Sequence, residues 1–153
     1  MTQLTNDTLA FLEKIKGKTL VFTNGCFDIL HSGHVAYLNE AKAQGDYLII
    51  GLNSDASVKR LKGEQRPINK ELDRKFVLEN LKSVDCVQIF EEDTPLEIIK
   101  QICPQVLVKG GDWKIDQIVG SDFVIANGGE VKSLIFKDGY STSKIIQDAQ
   151  GKM

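Results

Sequence analysis

The feature that most constrains the fold of this chain is a regular alternation of short apolar runs with amphipathic segments of helical spacing. The apolar runs show little polar alternation, as expected for strands covered on both faces; they lie at residues 19–23, 47–52, 86–90, 106–109 and 131–136. Strands that alternate with helices require right-handed crossovers and favour a parallel sheet. The sequence therefore predicts an α/β fold, an open parallel sheet of about five strands with helices on both faces.

The predicted helices follow from apolar spacing and from start and stop signals. They lie at residues 1–17, from Ser32 or His34 to Gly45, at 72–81, at 94–103, at 121–127, and from Ser141 or Thr142 onward. Thr94-Pro95-Leu96-Glu97 has the pattern of a capping box with proline at the first helical position. Residues 53–69 are rich in turn formers and are predicted to be a loop with at most a short helical turn. We expect one domain over residues 1–153, with an N-terminal helix in 1–17 and the core in 18–150.

Composition excludes several classes of protein. The 153 residues are 42% hydrophobic and 26% charged, an ordinary globular balance. The net charge of −2 provides no basic field for nucleic acid. The apolar runs are too short to span a bilayer, and the N-terminus lacks a signal-type stretch. Three separated cysteines form no CxxC pair. We expect a cytoplasmic protein with reduced thiols that binds neither nucleic acid nor membrane.

The predicted sheet also indicates where a ligand binds. In open parallel sheets, ligands bind beyond the carboxyl ends of the strands, where the strand order reverses. The loops at residues 24–34, 53–69 and 110–116, together with the segment before the last helix, are therefore the places to look for chemistry.

The first of these loops contains the only two histidines of the chain, His31 and His34. Three residues apart at a helix start, they share one face, and Gly33 between them leaves room for an anion at the first backbone N–H groups. Gly25 likewise permits close backbone approach. Two other interpretations stay open: a polar helix cap with one partly exposed histidine, or a zinc site. No third ligand recurs at zinc spacing, so no directly bound metal is assigned.

Several segments together carry a resemblance to a known family. They are residues 22–34, 53–63, 66–69, 91–95, 108–113 and 138–143. The His-Ser-Gly-His turn after a first strand resembles the His-x-Gly-His signature of nucleotidyltransferases with a Rossmann-like fold. The chain is similar to the cytidylyltransferase-like family, and within it to the adenylyltransferase domains that make ADP-heptose for bacterial lipopolysaccharide. The likeness extends from about Thr19 to Gln147.

The resemblance implies transfer of AMP from ATP to D-glycero-D-manno-heptose 1-phosphate, which gives ADP-heptose and pyrophosphate, with Mg²⁺ accompanying ATP. It implies three catalytic residues, His31, His34 and Lys62. The implied nucleotide-binding residues are Thr23, Asn24, Gly25, Cys26, Phe27, Gly33, Arg74, Gly110, Asp112, Ser141, Thr142 and Ser143. The implied acceptor-binding residues are Asp28, Arg66 and Trp113.

The resemblance also bears on partners. Related adenylyltransferase domains are often fused behind a sugar kinase, which residues 1–17 do not supply. A separate heptose kinase and phosphatase are therefore expected to provide the sugar 1-phosphate, and relatives suggest a homodimer.

The residues themselves fit this chemistry. An acceptor phosphate is already anionic, so attack on the α-phosphorus needs positioning and charge neutralisation rather than a strong base. Residues 59–75 hold seven basic side chains against three acidic ones, a local balance of +4. Some single residues keep two interpretations. Trp113 stacks on a ligand or packs under its loop, Ser141 to Ser143 hold a phosphate or only cap the helix, and Asp28 binds the acceptor or shapes the turn.

Three other functions compete with heptose adenylyltransfer. A cytidylyl- or guanylyltransferase acting on glycerol phosphate or another sugar phosphate would use the same fold. Class I aminoacyl-tRNA synthetases share the histidine turn, but 153 residues leave no room for tRNA-binding domains. A non-catalytic nucleotide-sensing module would not need the paired histidines, the Lys62 loop and the final Ser-Thr-Ser turn.

Overall fold

The computed structural model describes residues 1–135 and 141–151, and its centre is a five-stranded sheet in which every pairing is parallel. The strand order is β3-β2-β1-β4-β5. The strands are β1 Leu20–Gly25, β2 Tyr47–Asn53, β3 Cys86–Phe90, β4 Val106–Gly110 and β5 Glu130–Leu134. The predicted Rossmann-like α/β sheet is confirmed. Two stretches of the sequence lie outside the described residues: Phe136, the end of the last predicted strand, and Asp138-Gly139-Tyr140, the start of a segment that carries the resemblance.

Seven helices occur among the described residues. They are α1 Asn6–Lys14, α2 Ser32–Lys42, α3 Asp55–Lys62, α4 Glu71–Glu79, α5 Leu96–Ile102, α6 Ser121–Ala126 and α7 Thr142–Gly151, and a short 3₁₀ turn spans Ile115–Gln117. No helix in the described part of the chain is long and apolar enough to cross a membrane.

Two apolar layers, one on each face of the sheet, hold these elements together. On one face Tyr37 and Leu38 of α2 pack with Leu78 of α4. On the other face, residues of α1, α5 and α6 pack against Phe22 and Leu107. Because successive strand residues point to opposite faces, strands covered on both sides need apolar residues throughout. This explains the near-continuous apolar runs of the sequence.

Residues 53–69 differ from the prediction, since they contain the eight-residue helix α3 rather than a loop. Ser54 begins the helix, and its side-chain oxygen accepts a hydrogen bond from the Ser57 amide. Val58 is fully buried, whereas Leu61 is 50% exposed. A two-turn helix with one fully buried apolar residue leaves little periodicity in the sequence, which is why it was missed.

The predicted capping box at Thr94 is wrong. Helix α5 begins at Leu96, Pro95 is its N-cap, and no side chain caps it. At the N-terminus of the chain, Thr5 caps α1. Residues 2–5 pack along β3: Thr2 bonds the carboxylate of Glu92, and the Thr5 amide donates to Gln88 at 3.1 Å.

The order of the strands fixes the position of the site. The chain runs outward from β1 through β2 to β3, and then returns to the other side of β1 with β4. A crevice opens at such a switch point, beyond the carboxyl ends of the two diverging strands. Here the loop after β1, which holds both histidines, meets the turn after β4.

Candidate functional site

A cavity of about 590 Å³ lies at the switch point between β1 and β4. It brings together most of the side chains predicted to form the site. Those lining it are Asn24, Gly25, Cys26, Phe27, Asp28, His31, His34, Lys62, Arg66, Gly110, Trp113, Ser141, Thr142 and Ser143. Thr23, Gly33, Arg74 and Asp112 lie outside the described lining.

The two histidines cap helix α2 as well as lining the cavity. His31 is the N-cap, and its Nδ1 accepts a hydrogen bond from the Gly33 amide at 3.1 Å. The His31 amide in turn donates to Nδ1 of His34, at 3.4 Å. The rings stack with their centroids 3.9 Å apart. Because Nδ1 is the acceptor in each ring, a neutral imidazole carries its proton on Nε2. Each histidine therefore has an Nε2–H donor.

Electrostatics favour these neutral rings. Burial and, to a smaller extent, the neighbouring His31 together lower the pKa of His34 to about 4. Burial also lowers the pKa of His31. Near neutral pH the pair therefore offers N–H donors without a fixed positive charge, next to the partly positive N-terminus of α2. Such a combination suits the oxygens of a bound phosphate.

Asp28 lines the cavity, where the resemblance implies an acceptor contact, and its carboxylate is also held by protein partners. Its carboxylate is fully buried and accepts hydrogen bonds from Arg66 Nε at 2.8 Å and from the amides of Ile68 and Asn69. Burial alone would raise the pKa of Asp28, but these hydrogen bonds outweigh burial and hold the pKa below its usual value. In this structure Asp28 holds segment 66–69 against the loop after β1.

Arg74 also lies elsewhere than expected, since its side chain is fully buried beneath the site. Its guanidinium donates to three backbone carbonyls, those of Cys26 at 2.7 Å, Asn53 at 2.8 Å and Asn69 at 2.9 Å. It also pairs with the Asp55 carboxylate at 2.8 Å. These partners engage the guanidinium N–H groups, which the resemblance assigns to nucleotide binding. Arg74 joins four segments that surround the cavity.

Lys62 lies on the open side of the cavity. It is the last residue of α3 and is exposed, and Gly63 follows it with a φ of +108°. A left-handed φ of this kind favours glycine and turns the chain sharply after the helix. Lys62 thus stands where a flexible cation can contact an anion in the cavity.

The start of α7 supplies hydroxyls to the same cavity. Ser141 caps the helix, since its Oγ accepts a hydrogen bond from the Lys144 amide at 3.0 Å. Thr142 donates from its Oγ1 to the Ile29 carbonyl at 3.1 Å, which ties α7 to the histidine loop. The capping interpretation is therefore confirmed for Ser141, and all three residues also line the cavity.

The turn after β4 is more self-contained than the sequence indicated. Trp113 Nε1 donates to the Gly110 carbonyl at 3.0 Å, and the Gly111 amide donates to the Leu134 carbonyl at 2.8 Å. Ser133 Oγ bonds the Gly111 carbonyl. The resemblance assigns Gly110 and Asp112 to nucleotide binding, and protein partners already occupy several backbone groups of this turn. Asp112 is exposed to solvent.

Thr23 and Gly33 support the site from behind. The Thr23 hydroxyl is 2.6 Å from the Tyr37 hydroxyl in the buried layer, and Gly33 is buried in the first turn of α2. Burial raises the pKa of Tyr37 to about 12, so this phenol stays protonated. Tyr37 also lines the cavity.

Several lining residues were not singled out from the sequence: Tyr37, Asn53, Leu61, Asp93, Thr94, Pro95 and Lys109. Lys109 lies within the strand motif and carried no signal beyond its charge. Tyr37 has the spacing of an ordinary apolar helix position. Their proximity to the histidines depends on the packing of separate elements, which a single sequence does not display.

Among residues 1–135 and 141–151, no cluster of three or more His, Cys, Asp or Glu side chains is arranged to hold a metal ion. The carboxylate of Asp28 is engaged by Arg66 and backbone amides.

Comparison with known proteins agrees with this arrangement. A family model described as cytidylyltransferase-like matches residues 22–148. The chain is 61% identical over 138 residues to the bifunctional protein HldE of Marinomonas sp. (strain MWYL1), covering 90% of this chain and 29% of that protein. It is 58% identical over 136 residues to the bifunctional protein HldE of Wolinella succinogenes, covering 89% of this chain and 28% of that protein. The chain thus spans less than a third of the length of these relatives.

Solved structures show the same architecture. The lipopolysaccharide core biosynthesis protein from Thermoplasma volcanium GSS1 is 31% identical, with a TM-score of 0.65 over 82% of this chain and 100% of that one. Pantothenate synthetase from Thermus thermophilus is 14% identical, with a TM-score of 0.55 over 84% of this chain and 59% of that one. The second likeness shows the shared fold alone.

Proposed function

Because the chain belongs to the cytidylyltransferase-like family of nucleotidyltransferases, we propose that it transfers AMP from ATP to D-glycero-D-manno-heptose 1-phosphate. The products are ADP-heptose and pyrophosphate. The observation that carries this proposal is the stacked His31–His34 pair at the start of α2, facing the cavity that also holds Lys62 and the start of α7.

The chemistry is a substitution at the α-phosphorus of ATP. An oxygen of the acceptor phosphate forms the new P–O bond, and the bond to the bridging oxygen of pyrophosphate breaks. The acceptor oxygen is already an anion, so no base has to remove a proton. The protein has to hold the two substrates in line and offset the charge that spreads over the phosphoryl oxygens.

In this proposal, residues that line the cavity hold the substrates and offset the charge on the phosphoryl oxygens. The Nε2–H groups of His31 and His34 and the first amides of α2 offer donors to the phosphate oxygens. Lys62 adds a positive charge from the open side, and the hydroxyls at the start of α7 add further donors. Removing one preorganised donor of this type typically costs about 3–4 kcal/mol of transition-state stabilisation.

Support for a sugar phosphate as the acceptor comes from the relatives. The Thermoplasma volcanium protein is a lipopolysaccharide core biosynthesis protein, and the likeness covers its full length. Heptose 1-phosphate is the acceptor implied by the sequence resemblance. A sugar kinase and a phosphatase, outside the described residues, would have to form this acceptor. When bound with ATP, Mg²⁺ would neutralise charge on its phosphates.

The strongest rival is transfer of CMP or GMP, because the fold and the phosphate contacts would be the same. Equal concentrations of ATP, CTP and GTP, incubated with the protein, Mg²⁺ and heptose 1-phosphate, separate these possibilities. We expect ADP-heptose as the main product, measured by chromatography against standards. A preference for CTP or GTP, or no transfer to heptose, would refute this substrate choice while leaving the reaction class in place.

A further inference from the structure

Lys109 is a half-buried cation in the wall of the cavity. It is the fourth residue of β4, and its Nζ lies 4.9 Å from the centre of the Trp113 ring. Within the described part of the chain, no carboxylate forms an ion pair with it. Burial lowers the pKa of Lys109, which reflects the loss of hydration without an anionic partner. A half-buried ammonium in this state is well prepared to bind an anion.

Lys109 lies on the opposite side of the sheet from the histidines. Side chains alternate along a strand, so Lys109 points to the same face as Leu107. Leu107 packs with Ile98, Ile99 and Ile118, in the layer formed by α5 and α6. The histidines begin α2, whose Tyr37 packs on the other face with Val108. The cavity lining therefore includes residues from both faces of the sheet, and we refer to the part beside α2 and the part beside α5 as its two lobes.

The two lobes differ in chemistry. The lobe beside α2 has the paired histidines and the start of a helix, which suit a chain of phosphates. The lobe beside α5 is lined by apolar and aromatic side chains around one cation: Pro95, Leu107, Lys109, Trp113, Ile118 and Val119. Trp113 is fixed there, because its Nε1 donates to the Gly110 carbonyl and its amide donates to Ser133 Oγ.

From this division we infer that Lys109 belongs to the acceptor subsite and binds the phosphate of the sugar there, beside Trp113, which the sequence resemblance already assigns to the acceptor. This inference rests on the proposed function, since it presumes a phosphorylated sugar as the second substrate. An indole face provides a flat apolar surface for the C–H groups of a sugar ring. The ammonium, already partly dehydrated, gains an anionic partner when the acceptor phosphate enters. Lys109 then selects phosphorylated acceptors over neutral sugars.

The test compares the affinities of the two substrates separately in Lys109→Met, Lys109→Arg and wild-type protein. Calorimetric titration is done with heptose 1-phosphate and, independently, with a non-hydrolysable ATP analogue and Mg²⁺. We expect Lys109→Met to weaken acceptor binding about tenfold or more, and to leave analogue binding within about twofold of the wild type. Lys109→Arg should retain most of the acceptor affinity. Lys114→Met is the matched control, since Lys114 is exposed on the same loop and should leave both affinities unchanged.

Two results would overturn the inference. If Lys109→Met weakens analogue binding instead, Lys109 belongs to the nucleotide subsite and the lobe beside α5 takes the base. If neither affinity changes in the folded variant, Lys109 has no role in binding. Trp113→Ala gives a second reading, with an expected loss of acceptor affinity and unchanged analogue affinity.

Failure of the proposed function gives a different pattern. If wild-type protein binds the ATP analogue but not heptose 1-phosphate, the same titrations are run with mannose 1-phosphate, glycerol 3-phosphate and neutral mannose. One outcome is that one of these phosphates binds to the wild type, to Lys109→Arg and to Lys114→Met but not to Lys109→Met. That result supports the role of Lys109 in the subsite, although it refutes heptose 1-phosphate as the acceptor. Equal affinity of wild type and Lys109→Met for that phosphate refutes the subsite independently of heptose.

Discussion

At the scale of single residues, the histidines combine a structural role in one turn with the phosphate contact that we propose for them. His31 caps α2 through Nδ1, and His34 accepts from the backbone of His31 through its own Nδ1. These contacts fix the orientation of both rings and leave Nε2–H as the donor. The site is therefore formed before any ligand binds, as electrostatic preorganisation requires.

The same burial predicts how stability depends on pH. The folded-state pKa of His34 is about 4, below its unfolded value near 6.5. Between these values the unfolded chain binds more protons than the folded one, so the free energy of unfolding should fall as pH decreases from about 6.5 to about 4. Urea denaturation at a series of pH values measures this, and His34→Ala should show a shallower dependence in that window. An identical slope in wild type and variant would contradict the buried neutral ring.

Arg74 provides a prediction about stability rather than ligand contact. Arg74→Met keeps a similar length but removes the hydrogen bonds to three carbonyls and the pair with Asp55. Because these partners stay buried or half-buried without a donor, we expect a loss of about 3–5 kcal/mol in the free energy of unfolding. Arg60→Met is the control, since the Arg60–Asp93 pair is exposed and should contribute less than about 1 kcal/mol. Equal urea midpoints for the two variants would refute this role of Arg74.

At the scale of elements, helix α3 and the segment after it differ in how firmly hydrogen bonds hold them to the rest of the protein. Helix α3 is tied at its start by Ser54, which bonds Glu91, and the amides of Ile68 and Asn69 are tied to Asp28. Residues 62–65 between these anchors are exposed. We therefore expect mobility at residues 62–65, a shorter segment than the loop predicted over residues 53–69.

Amide hydrogen exchange tests this narrower view. On addition of a non-hydrolysable ATP analogue with Mg²⁺, protection should rise at residues 62–65, because Lys62 gains an anionic partner. Residues 56–60 and 68–69, already hydrogen bonded, should change little. Lys62→Met should abolish the rise while α3 stays protected. Unchanged amide exchange at residues 62–65 with saturating analogue would show that Lys62 does not bind the phosphates of the nucleotide.

Elements differed in how well the sequence predicted them, and the reason is physical. The strands were predicted because burial on both faces requires unbroken apolar runs, which single residues display directly. Helix α3 was missed because it has one fully buried apolar side chain, Val58, and is otherwise polar apart from Ala56 and the half-exposed Leu61. The histidine turn was found because its spacing and its position after a strand are both local.

Contacts that join distant segments were not predictable from the residues alone. Arg74 reaches Cys26, Asn53 and Asn69, and Asp28 reaches Arg66 and Asn69. Whether such a charge meets protein or ligand depends on how β1, β2 and the helices after them pack. The sequence assigned these residues to the candidate site but did not distinguish a ligand contact from a supporting one.

At the scale of the whole molecule, the strand order brings all of these groups to one edge. The net charge of −2 gives no general attraction for anions, so binding depends on donors and cations placed locally. These lie on both sides of the switch point, with the histidines beside α2 and Lys109 beside α5. One cavity with two such lobes fits a reaction between two phosphorylated substrates.

The measurement that tests this account most directly is phosphorus NMR of a mixture of protein, ATP, Mg²⁺ and heptose 1-phosphate. We predict the coupled diphosphate signals of ADP-heptose and an equal amount of pyrophosphate. Folded His34→Ala and His31→Asn, the latter keeping an N-cap side chain, should form product at least about a hundredfold more slowly. Formation of ADP and inorganic phosphate instead, or near-normal rates in either histidine variant, would contradict nucleotidyl transfer at this site.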